Sequence, residues 1–178
     1  MSTGPFTRAR SGGIRVRLHR RMRAILADLC AQQEQLLTTE HPSSDPAMAR
    51  LFPAAYPDDP LRELEFERLT ADDLTKGRLE SLERMRATLD AETLDEEQAL
   101  AWLRSLNDLR LVLGGRLEVT EESEPEDFER DPAAADGFEL YVLLGHLQAL
   151  LLLAIDPEAV EPDPDAVSRD PEASDPDT

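Results

Sequence analysis

Carboxylates dominate the side chains able to do chemistry, and some stand at helical spacing. Glu63 and Glu67 lie four residues apart and share a helix face, as do Asp72 and Lys76. A carboxylate pair performs general acid–base chemistry when one member is desolvated and keeps its proton near neutral pH. With 38 acidic residues among 178, a pair at this spacing is better read as a solvated face. His19, His41 and His146 are far apart, and none has an Asp, Glu or Cys at metal-ligand spacing. The chain has no Walker loop, GxGxxG, HExxH, GxSxG or EF-hand loop, so neither metal nor cofactor is expected. Cys30 is the only cysteine, which excludes an internal disulfide and suits a reducing compartment. Leu26 and Leu29 beside it place it on a helix as a buried, inert thiol.

A second set of polar residues stands out by its surroundings. The stretch WLRSLNDLRLVLGGRL (Trp102–Leu117) is nearly all apolar, yet it carries Asn107, Asp108 and Arg110. Arg104 and Asp108 are four apart and are expected to pair on the surface. Asn107 lies between Leu103, Leu106 and Leu111, and polar groups in such surroundings must find partners. The expected role of Asn107 and Arg110 is to tie this helix to an adjacent loop, with the PAAYPDDP turn at 53–60 as the first choice. A polar recognition spot on a rigid helix is the functional alternative.

The elements that position these residues follow from periodicity and caps. Leu18, Met22, Ile25, Leu26, Leu29, Leu36 and Leu37 mark one face of a helix reaching about Thr39, which His41-Pro42 ends. Before it, Ile14 and Val16 alternate with Arg15 and Arg17 in a short strand-like period. Asp45-Pro46 starts a brief helix to Phe52, and Pro53, Pro57 and Pro60 fix a turn. Asp59 caps a helix over Pro60–Leu69 whose apolar side is Leu61, Leu64 and Leu69. Thr70 with Asp73 resembles a capping box that opens another helix, with Leu74, Leu82, Met85 and Leu89 inward and Gly77 weakening it. Two overlapping boxes, Thr93 with Glu96 and Asp95 with Gln98, open the central helix, and Gly114-Gly115 closes it. The last helix, about Phe138–Ile155, has no charge from Leu140 onward. These 16 residues fall short of the roughly 20 that span a bilayer, so it reads as a buried core helix. A homodimer seam on the last helices is the other use for such a surface. The expected fold is all-α: a single-domain bundle of about five helices over residues 14–155, with an acidic loop at 120–137. A flexible arm (1–13) and a disordered acidic tail (156–178) flank it.

Charge bounds the partners. A net charge of −19 disfavours broad contact with nucleic acid, and no membrane association is expected. The exception is local: seven arginines and no acid precede Asp28. They suit either a basic arm for nucleic acid or attraction to the acidic tail of the same chain. No apolar run of signal-peptide length follows them, and a cytoplasmic location is expected.

Three long motifs, DPAMARLFPAAYPDDP, LEFERLTADDL and WLRSLNDLRLVLGGRLEV, together resemble the actinobacterial DUF2017 family, a domain of unknown function, across roughly Asp45–Val119. Matching positions include Asp45, Arg50, Tyr56, Asp58, Asp59, Arg68, Trp102, Asn107, Asp108, Arg110 and Gly114. The resemblance implies an all-helical bacterial cytoplasmic protein, often encoded beside the adaptor of the Clp protease, and it brings no catalytic residue set. Some members carry a transcriptional-regulator label. The Asp- and Pro-rich first motif is unlike a base-reading helix, which presents Arg, Asn or Gln. The expected function is therefore a non-catalytic interaction or regulatory protein, tied to Clp-type regulated proteolysis, whose partner is another protein. Its surface would be Pro46–Arg68 beside Asn107 and Arg110, drawing on the polar cluster Asp45, Arg50, Tyr56, Asp58, Asp59, Arg68, Asn107, Asp108 and Arg110. The alternatives are a transcriptional regulator and a small hydrolase-like enzyme. The enzyme requires Asp58, Asp59, Arg68, Asn107 and Arg110 to converge in a concave pocket; a grooved apolar patch points to binding instead.

Overall fold

The computed structural model describes residues 4–10, 12–39 and 46–157. Asp45 and residues 158–178, most of the expected tail, lie outside the described residues. The fold is mostly helical, with five helices and one small sheet among the described residues.

The sheet begins inside the segment expected to be a free arm. Strands β1 (Phe6–Arg8), β2 (Ile14–Val16) and β3 (Thr93–Leu94) pair antiparallel in the order β1-β2-β3. Phe6 stands opposite Val16, and Ile14 opposite Leu94. The hairpin turn needs two residues at positive φ, Gly12 and Gly13. Gly13 also admits the third strand, since a Cβ there would lie 2.6 Å from the Leu94 carbonyl oxygen. Phe6, Ile14, Val16 and Leu94 all point into the core. Burial of Phe6, edge-on to Trp102 with ring centroids 6.1 Å apart, holds the N-terminal strand down. Three residues are too few to show a period, so only packing reveals this strand.

Helix α1 (Arg20–Thr39) buries Leu26, Cys30, Gln33, Leu36 and Leu37, and α2 (Pro46–Ala49) is a single turn. Helix α3 (Pro60–Ala87) is continuous, where the capping pattern predicted a new start at Thr70. The Thr70 hydroxyl donates to the Phe66 carbonyl at 2.8 Å, a bond within the helix. Asp59 caps α3, its side chain accepting from the Arg62 amide. Only Ser81, Leu82 and Met85 of α3 are buried, all in its second half.

Helix α4 (Glu96–Arg116) is the centre of the bundle. Its start uses the Asp95–Gln98 capping box, with both reciprocal bonds present at 2.8 and 3.0 Å. Ala99, Trp102, Ser105, Leu106, Leu109 and Val112 are buried along it, and the Trp102 indole donates to Thr88 Oγ1 at 2.8 Å. The Gly pair does not close it. The helix runs on to Arg116, and the left-handed residue beyond is Glu118. The glycines instead let neighbours approach. A Cβ on Gly115 would sit 2.8 Å from Ala47 Cα, and one on Gly114 would sit 2.8 Å from the Tyr141 ring.

Helix α5 (Pro132–Ile155) starts inside the expected loop, because Asp131 caps it and Pro132 takes the first helical position. The loop that remains holds a 3₁₀ turn at Pro125–Asp127. At 24 residues, α5 is long and apolar enough to cross a membrane by length and composition, where the uncharged run alone looked too short. In this fold Leu144, Leu147, Leu151 and Ala154 are buried, while Val142, Leu150 and Leu153 are exposed. The expected core helix therefore has one buried stripe and one open one.

Candidate functional site

The polar residues on α4 divide by direction. Asp108 is buried and pairs with Arg78 of α3, Oδ1 to Nη1 at 2.5 Å. The same guanidinium donates to the Leu51 carbonyl and lies 5.1 Å from the Phe52 ring centroid. One arginine thus joins α4, α3 and the chain leaving α2. Burial raises the Asp108 carboxyl above its ordinary value, and hydrogen bonds from Arg78 and Asn107 offset part of that rise. The expected surface pair with Arg104 does not form, because Asp108 faces inward.

Asn107 and Arg110 face the other way. The Asn107 side-chain oxygen accepts from Gln148 Nε2 at 3.2 Å. Arg110 donates to the Tyr141 hydroxyl at 2.9 Å and lies 4.7 Å from that ring centroid. It crosses α5 at Gly145, where a Cβ would come within 3.3 Å of its Nε. These residues hold α5, not the 53–60 turn they were expected to hold. The rotation of α4 decides this: Asp108 points toward α3, and its neighbours toward α5.

The remaining sequence-derived residues are dispersed. Arg50 donates to the Val119 carbonyl at 2.6 Å, fastening the chain after α4 to the end of α2. The Tyr56 backbone amide donates to Glu63 Oε2 at 2.6 Å, its ring meets Phe66 edge-on at 5.9 Å, and Arg62 lies 4.3 Å above it. Asp59 is spent as a helix cap, and Asp58 and Arg68 are exposed. Asp58, Asp59, Arg68, Asn107 and Arg110 do not converge. Among the described residues, no three His, Cys, Asp or Glu side chains group to hold a metal ion.

What these contacts build is a groove of about 410 Å³ between Leu51–Ala55 and the first half of α3. Phe52, Pro53, Phe66 and Leu74 form its apolar lining, Glu63 and Glu67 edge it, and Arg78 contributes to its wall. The turn forming one side is fixed by proline and by the Tyr56–Glu63 bond. Leu61, Leu64 and Leu69, on the same half of α3 but outside the groove lining, are 80, 63 and 67% exposed, where the spacing predicted a face turned to the core. Arg78 and Phe52 are residues the sequence reading missed. A signal for Arg78 was present: Leu74 and Leu82 stand four residues to either side, and no acid lies at helical spacing to pair with it.

Comparison with curated proteins finds no match, and comparison with solved structures finds none either. The model of one family, DUF2017, described as a domain of unknown function, matches residues 3–155. The match covers the N-terminal hairpin and all five helices, and the chain belongs to that family.

Proposed function

We propose that this protein is a non-catalytic binding module that holds a segment of another protein along the first half of α3. The observation that carries this reading is the set of leucines on that half-helix, which the fold leaves in water on the face turned away from the apolar groove. Solvating Leu61, Leu64 and Leu69 has a cost that burial against a partner removes. The surrounding charge is mostly acidic, with Glu63, Glu65, Glu67, Asp72 and Asp73 against Arg62, Arg68 and Lys76. The complementary partner is an amphipathic segment whose apolar side chains are flanked by lysine or arginine. The dispersal of Asp58, Asp59, Arg68, Asn107 and Arg110 favours this reading over a hydrolase. The Clp association implied by the family resemblance makes the Clp adaptor the first protein to try.

Affinity capture from native lysate tests the reading, comparing the unaltered protein with the double variant Leu61→Ser/Leu64→Ser. Both positions are exposed, so the variant should melt at the same temperature while losing its captured partner. Capture of the same proteins by both forms would refute it.

A further inference from the structure

Six arginines, Arg8, Arg10, Arg15, Arg17, Arg20 and Arg21, are exposed on the β1–β2 hairpin and the start of α1. None of them takes part in an ion pair among the described residues, although the chain carries a surplus of acid. A seventh, Arg23, is committed to the backbone carbonyls of Leu18 and Leu89. Unpaired arginines clustered in a chain of net −19 call for an anionic partner.

The fold brings one to them. Arg8 Nη1 donates to the carbonyl of Ile155 at 2.6 Å, so the C-terminal end of α5 is fastened to the hairpin. The chain that continues from this point holds, over residues 158–178, eight Asp and Glu against the single Arg169. That is a net charge of −7, against seven arginines and no acid over residues 4–23. Twenty residues reach up to ~70 Å when extended, more than the hairpin and the first turns of α1 require. A tether of this length gives an effective concentration on the order of millimolar, enough for individually weak exposed pairs to form together. Two whole copies, each strongly acidic, have no such advantage.

We propose that the acidic segment 158–178 docks on the arginine face of its own chain, formed by the hairpin and the start of α1, and screens that face from other polyanions. This surface is distinct from the α3 groove, and the two readings stand or fall separately.

The full-length chain can report this through a nitroxide placed at Ser168→Cys. The native cysteine does not compete for the label, because Cys30 is buried and its thiol is pushed up to about 11. Side-chain Nε–H signals of Arg15, Arg17, Arg20 and Arg21 should lose roughly half their intensity or more at ~0.05 M salt and recover at ~0.5 M, as screening shortens. Adding Asp163→Asn, Asp165→Asn and Asp170→Asn should restore most of the signal. Full intensity at low salt overturns the proposal, as does attenuation that survives those three substitutions. Attenuation found only between labelled and isotope-enriched copies in a mixture also overturns it, assigning the contact to a second molecule. So does duplex DNA that binds the unaltered and Asn-substituted chains equally.

Discussion

Asp108 holds a charge where burial opposes it, and its pH behaviour should run opposite to that of a surface carboxylate. Its folded-state pKa lies above the unfolded value, so the folded protein takes up the proton first as pH falls. Its contribution to stability is therefore fully present below the unfolded value and is lost as pH rises through the folded one. Compared with Asp108→Asn, which has no such titration, the unaltered protein should gain relative stability as pH is lowered from neutral toward about 4. Urea unfolding of both proteins across that range measures the difference; a constant offset would contradict the assignment. At pH 7 the Asn variant keeps an acceptor for Arg78 and should cost about 1 kcal/mol, whereas Arg78→Ala strands the carboxylate and should cost about 3 kcal/mol. That Asn107 and Arg110 tie their helix to a neighbour was legible, because polar groups among leucines must be satisfied; Asp108, expected to pair with Arg104 on the surface, was not read as an interior tie. The partners were not legible, because a sequence does not fix how a helix is rotated about its axis.

Helix boundaries followed local chemistry wherever the chemistry was local. The Asp59 cap with Pro60, and the Asp95–Gln98 box, start α3 and α4 where the sequence placed them, since cap and helix lie within a few residues of each other. Thr70–Asp73 carries the same pattern but sits inside α3, because a capping box works only where the preceding turn is not already helical. The glycines separate the two cases again. Gly77 has nothing within 4 Å of its missing Cβ, so Gly77→Ala should stabilise by about 0.5–1 kcal/mol through the unfolded chain. Gly114→Ala, on a helix the sequence wrongly ended there, should instead cost about 1–3 kcal/mol by pressing on Tyr141. Thermal melts of the two variants should shift in opposite directions, and a stabilising Gly114→Ala would show that α5 does not lie where described.

At the scale of the whole molecule, the N-terminal strand and the central helix share one core. Phe6 lies near the chain start, yet it is buried against Trp102, the only tryptophan. Phe6→Ala should cost about 3 kcal/mol, read as an earlier urea midpoint in tryptophan emission; a change below about 0.5 kcal/mol would return residues 4–10 to the role of a loose arm. The helical class, the central place of α4 and the tying role of Asn107 and Arg110 were legible in the sequence, because periodicity and the need to satisfy polar groups among leucines act over one or two helical turns. Tertiary structure decided the rest: the strands at Phe6–Arg8 and Thr93–Leu94, the open leucines of α3, the half-exposed α5, the role of Gly114-Gly115 as contact points, and the seat of Arg78 under Asp108. Each depends on which residues distant in the chain come to lie side by side. A leucine stripe at helical spacing reads the same whether the fold covers it or leaves it to a partner.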